Sequence, residues 1–148
     1  MKKFAFNLET LLRHRENLEE KERNELSRIT FLFQTEVNRR DELRNRLKET
    51  SVELGRLRRE NADSGEVAWF YPYIDRLRHE ITVTDKRIAQ LQQDLQTQKL
   101  VVIEAIKKKR VLDSLKTRKQ KEFNLAVDRQ EQKTVDELVI TRFARKDG

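Results

Sequence analysis

NADSGEVAWFYPY, residues 61–73, breaks a chain that otherwise holds almost nothing to stop a helix. Asn61, Asp63, Ser64 and Gly65 favour turns, and Pro72 is the only proline among 148 residues. Proline fixes φ and lacks the N–H that a helix interior requires. On each side runs a long segment with a 3-4 spacing. Before the break it passes through Leu26, Ile29, Phe33, Glu36, Arg40, Leu43, Leu47, Thr50, Leu54 and Leu57. After it come Ile74, Leu77, Ile81, Thr84, Ile88, Leu91, Leu95, Gln98, Val102 and Ala105, the cleaner of the two. Both are heptad seams. A lone helix would leave its apolar stripe in water, so the pair folds back on itself. The predicted fold is all-α: two long helices in an antiparallel coiled-coil hairpin. A single continuous helix that dimerises is the rival, and the loop residues argue against it.

The seams fade outward from the break. Upstream, Leu8, Leu11, Arg15 and Leu18 continue less cleanly, and the path from Leu18 through Glu22 to Leu26 reads as a stutter. Downstream of Ala105 the register blurs through Leu112, Leu115 and Phe123 and returns weakly at Val135, Leu138 and Val139. The expectation is one coiled-coil domain over 1–148, with helix 1 at about 5–60, a turn at about 61–71 and helix 2 at about 72–143. At about 1.5 Å per residue these helices run to roughly 80 and 100 Å. Pairing centred near the turn sets Leu8 opposite about residue 125. The second helix is then the longer, and most of QEQKTVDELVITRFARKDG (130–148) overhangs without a partner.

Composition supports long helices. Charged residues reach 40% and apolar ones 36%, a balance that can also mean disorder. Three Gly, one Pro and an abundance of Leu, Glu, Lys, Arg and Gln argue for helix instead. With no Cys, disulfides and thiolate metal sites are excluded. MKKFAFNLETLL lacks the apolar core of a signal peptide, and no run approaches 18 apolar residues. A soluble intracellular protein is expected. The net charge of +7 favours acidic partners.

Catalytic signals are missing. Three scattered Gly build no phosphate loop, and His14 and His79 stand singly, one on each helix. A thin coiled coil has no concave pocket in which to desolvate a nucleophile. No enzyme activity, cofactor, metal or small-molecule substrate is expected.

Two patches stand out. In IKKKRVLDSLKTRKQKEF (106–123), Lys107, Lys108, Lys109, Arg110, Lys116, Arg118, Lys119 and Lys121 wrap most of the helix circumference. Only Phe123 is there to stack on a base, and the cations follow the better seam rather than preceding a zipper. This reads as a solvated face or a docking face for acidic protein rather than a specific nucleic-acid site. The second patch, WFYPY (69–73), gathers Trp69, Phe70, Tyr71 and Tyr73 at the predicted tip. Trp69 and Phe70 cap the coiled coil in one reading. In the other the cluster is a contact site, since Trp and Tyr are enriched at interface hot spots.

Taken in order, four blocks resemble the flagellar export protein FliJ family: FAFNLETLLRHRENLEEKERNEL (4–26), YPYIDRLRHEI (71–81), KKKRVLDSLKTRKQKEF (107–123) and EQKTVDELVITRFAR (131–145). The resemblance covers nearly the whole chain. It implies a cytoplasmic antiparallel coiled coil, similar in shape to the central stalk of rotary ATPases and peripheral to the membrane at the flagellar base. It further implies binding to the hexameric export ATPase through the end with both termini, to the cytoplasmic domain of the export gate, and to export chaperones. Such a protein promotes ATPase assembly. By position, the family's gate-contact face falls on Tyr73, Leu77, Glu80 and Thr84, of which Glu80 and Thr84 depart from the family pattern. The basic stretch then becomes the ATPase-docking face. Two alternatives are a stalk of a virulence-type secretion system and a generic coiled-coil scaffold with weak nucleic-acid binding.

Overall fold

A computed structural model describes residues 2–147. It holds α1 (Glu9–Arg59), the short α2 (Ser64–Ala68) and α3 (Phe70–Asp147), and no strand among the described residues. The two long helices form the predicted antiparallel hairpin, α3 being the longer.

Local chemistry sets each boundary. The first helix begins at Glu9 rather than near residue 5. Phe6 is buried against Leu12 and Leu112, and its carbonyl accepts the Glu9 N–H at 3.1 Å. Fixing an apolar residue just ahead of the helix against one in its first turn sets the entry angle of the chain. At the other end Asn61 takes φ 55°, the left-handed region that asparagine tolerates. The Ala62 N–H reaches the Leu57 carbonyl at 3.0 Å and the Asn61 N–H the Arg58 carbonyl at 3.3 Å. That bond pair is a Schellman cap. Arg56, Arg58 and Arg59 add cations where the helix dipole is negative. The stretch read as a turn contains α2, and α3 starts two residues before Pro72. Pro72 therefore lies in the first turn, where its missing N–H has no helical acceptor to lose, so it interrupts no bond.

The contacts divide into two compact units. In one, Lys21–Ile103, Leu54, Phe70 and Ile74 form the core beside the turn, with Leu47, Leu57 and Val67 packed against it. Ile29, Leu43, Leu77, Thr84, Ile88 and Val102 are buried along the same unit. The other joins the residues up to Glu20 with those from Glu104 onward. Its core is Phe6, Leu12 and Leu112, flanked by Phe4, Leu8 and Leu115.

Burial corrects the outer register twice. Leu11 is exposed and Leu12 is buried, and buried or half-buried positions run Leu12, Arg15, Glu19, Glu22, Leu26 and Ile29 without a change of period. There is no stutter: charged residues simply occupy seam positions. Nor does the second seam blur after Ala105, because Lys109, Leu112, Lys116 and Phe123 continue it. Glu9 pairs with Lys116, so neighbouring Leu8 lies near that level and not near residue 125. The non-helical segment ahead of it covers the next part of α3, with the Phe4 ring 5.7 Å from that of Phe123. Extended chain advances about 3.3 Å per residue against 1.5 Å for helix, so four residues suffice. From Asp128 to Lys146 every residue is exposed, and this is the overhang.

Candidate functional site

The basic stretch of α3 splits into two sets. Lys109 and Lys116 point into the seam. Lys109 Nζ lies 3.2 Å from a carboxylate oxygen of Glu19, a residue only 8% exposed, and Lys116 Nζ lies 2.9 Å from Glu9. A buried carboxylate needs such a cation, since desolvation otherwise penalises its charge. These two lysines align the hairpin. Lys107, Lys108, Arg110, Arg118 and Lys121 are exposed and carry no ion pair among the described residues. Lys119 pairs with Glu122 one turn on, at 3.6 Å. At 100° per residue, Lys107, Arg110, Arg118 and Lys121 share the side of α3 opposite Lys109, Leu112 and Lys116. Interleaved with them is Val111, 68% exposed, and the surface between Arg110 and Arg118 is a shallow groove. This is a strip of unneutralised positive charge with an apolar element, suited to an acidic protein surface.

The four residues placed by family position behave differently from one another. Leu77 and Thr84 are buried between the helices, at 3% and 1% exposure, so neither presents surface to a partner while the hairpin is paired. Tyr73 is half-buried, and half-buried Glu80 accepts a hydrogen bond from Arg76 Nε at 3.3 Å. Of the four, only Tyr73 and Glu80 offer accessible surface.

At the tip the aromatic cluster both caps and faces outward. Phe70 is buried on Leu54 and Ile74. Trp69 stacks on it with ring centroids 4.0 Å apart, yet keeps 56% of its surface exposed. Tyr73 lies 6.0 Å from Trp69. The Arg58 guanidinium sits 5.2 Å over the Tyr71 ring, a cation–π contact. A groove of about 680 Å³ opens here, lined by Leu57, Phe70, Trp69 and Tyr73 and edged by Glu49, Glu53 and Glu66. The acids were not singled out from sequence, although Glu49 and Glu53, four apart on one helix, share a face. Glu53 is partly neutralised: a hydrogen bond from Arg56 holds its carboxyl below the usual range. Arg56 in turn is raised by its bonds to Glu53 and Glu60.

A second polar layer crosses the seam. Gln98 Nε2 donates to the Glu22 carboxylate at 2.6 Å and to the Glu22 carbonyl at 3.0 Å. Arg40 and Arg44 approach Asp85 at 4.0 and 3.9 Å. Such layers fix register at a cost in stability. Among the described residues no three His, Cys, Asp or Glu side chains gather to hold a metal. None of the helices described is long and apolar enough to cross a membrane.

Compared with known protein families, residues 4–148 match the family described as Flagellar FliJ protein. No curated protein and no solved structure matches.

Proposed function

The chain belongs to the flagellar FliJ family and is a component of flagellar protein export, and we propose that it serves there as a non-catalytic stalk between export ATPase and export gate. The observation that carries this reading is the set of free cations on α3: Lys107, Arg110, Arg118 and Lys121 on its outer side, with Lys108 on the flank. Intramolecular acids occupy Lys109 and Lys116, which leaves the outer set for a partner. The hexameric ATPase takes that strip with acids and helix C-termini near its pore. Many exposed charge pairs, each contributing less than about 1 kcal/mol, orient a stalk without locking it. The protein thereby promotes ring assembly and couples ATP hydrolysis to the gate. On the gate side, Tyr73 and Glu80 with the half-exposed Trp69 make the contact, while Leu77 and Thr84 hold the helix that presents them. Export chaperones are further partners, and the protein works at the cytoplasmic face of the membrane without crossing it.

Binding to the export ATPase of the same organism tests the docking face. Combining Lys107→Glu, Lys108→Glu and Arg110→Glu is expected to weaken binding about ten- to a hundredfold and to flatten its salt dependence. Unchanged affinity at physiological salt removes this face from the interface.

A further inference from the structure

The last turns of α3 carry an apolar face that nothing covers. Val135, Leu138, Val139, Ile140 and Phe143 are 53–68% exposed, and every residue around them is exposed as well. At 100° per residue, Val135, Val139 and Phe143 form one stripe, with Val139 at its centre and the others one turn away on either side. Charge changes sign along this stretch. Before the centre come Glu131, Asp136 and Glu137 against Lys133; after it come Arg142, Arg145 and Lys146 against Asp147.

We propose that this overhang pairs with the overhang of a second copy of the chain, antiparallel and centred on Val139. Reversing 130–148 on itself sets Val139 against Val139, Val135 against Phe143 and Asp136 against Arg142, and each net acidic half against a net basic one. Parallel pairing stacks like charges and is disfavoured. A two-fold contact needs a self-complementary patch, and this stripe has one. The contact is short, below the size of a stable specific interface, so it forms and dissociates in the micromolar range or weaker. The proposal stands apart from the stalk reading, because it rests on residues beyond the cations assigned to docking.

Sedimentation from roughly 10 μM to 1 mM, the span in which such affinities appear, is expected to show a monomer–dimer equilibrium. Val139→Glu is expected to abolish it, raising the dissociation constant more than about tenfold. A monomer at every concentration overturns the proposal, and so does a dimer that Val139→Glu leaves intact. Orientation is read from disulfides, since the chain has no Cys of its own. Val139→Cys is expected to cross-link readily and Val135→Cys alone poorly, while a mixture of Val135→Cys and Phe143→Cys protein forms the mixed disulfide. Lys133→Cys, off the stripe, reports chance collision. Val139→Cys cross-linking no faster than Lys133→Cys, or Val135→Cys alone matching the mixture, is incompatible with antiparallel pairing. All these positions are exposed, so an unchanged helical circular-dichroism signal shows that the hairpin survives each change.

Discussion

Lys107 and Lys109 are two residues apart and have opposite tasks. Lys109 compensates Glu19 within the seam, whereas Lys107 faces solvent. Lys109→Ala is therefore expected to destabilise the hairpin by about 1–3 kcal/mol, because the nearly buried Glu19 loses the cation that reaches it across the seam. Lys107→Ala is expected to stay within about 0.5 kcal/mol. Urea unfolding of both variants measures the difference, and equal effects would contradict the division of the basic stretch. The sequence alone did not reveal this division. Following the apolar residues selects Leu18 over Glu19 and finds a blur after Ala105, so Glu19, Lys109 and Lys116 drop out of the pattern they belong to. Only the residue across the seam shows that a charge is tolerated inside. The burial of Thr84 was legible, since it lies at a seam position, but its family-based assignment to a contact surface pulled the other way.

Among the elements, the two long helices were readable because period and breakers agree over many turns. Their far ends were not. The segment ahead of Glu9 alternates Phe4 and Phe6 with Ala5 and Asn7, an extended period that a helix-based count absorbs into the helix. Phe6→Ala is expected to cost about 2–4 kcal/mol through the cavity left beside Leu12 and Leu112. Pro72→Ala is expected to change stability by less than about 0.5 kcal/mol, because no intrahelical bond is lost at that position. A large loss in that variant would show that the proline does more than start the helix. The tip was half legible: its aromatics stand out in sequence, while the Glu49, Glu53 and Glu66 rim emerges only when the turn folds back beside α1. Hydrogen exchange reports the remaining element. Amides from Asp128 to Lys146 are expected to exchange much faster than those between Phe70 and Leu112, since the overhang buries no side chain of its own.

For the molecule as a whole, a net charge of +7 on a two-helix fold leaves cations that the fold itself does not consume. The seam takes Lys109 and Lys116, one surface pair takes Lys119, and the outer strip remains for a partner. Membership in the flagellar export family gives that remainder a setting. The most direct test is ATP hydrolysis by the same organism's export ATPase, measured with and without this protein. The intact chain is expected to stimulate turnover, and the Lys107→Glu, Lys108→Glu, Arg110→Glu variant, which leaves Lys109 on Glu19, is expected not to. Equal stimulation by both, or none by either, would contradict a stalk that docks through the outer face of α3.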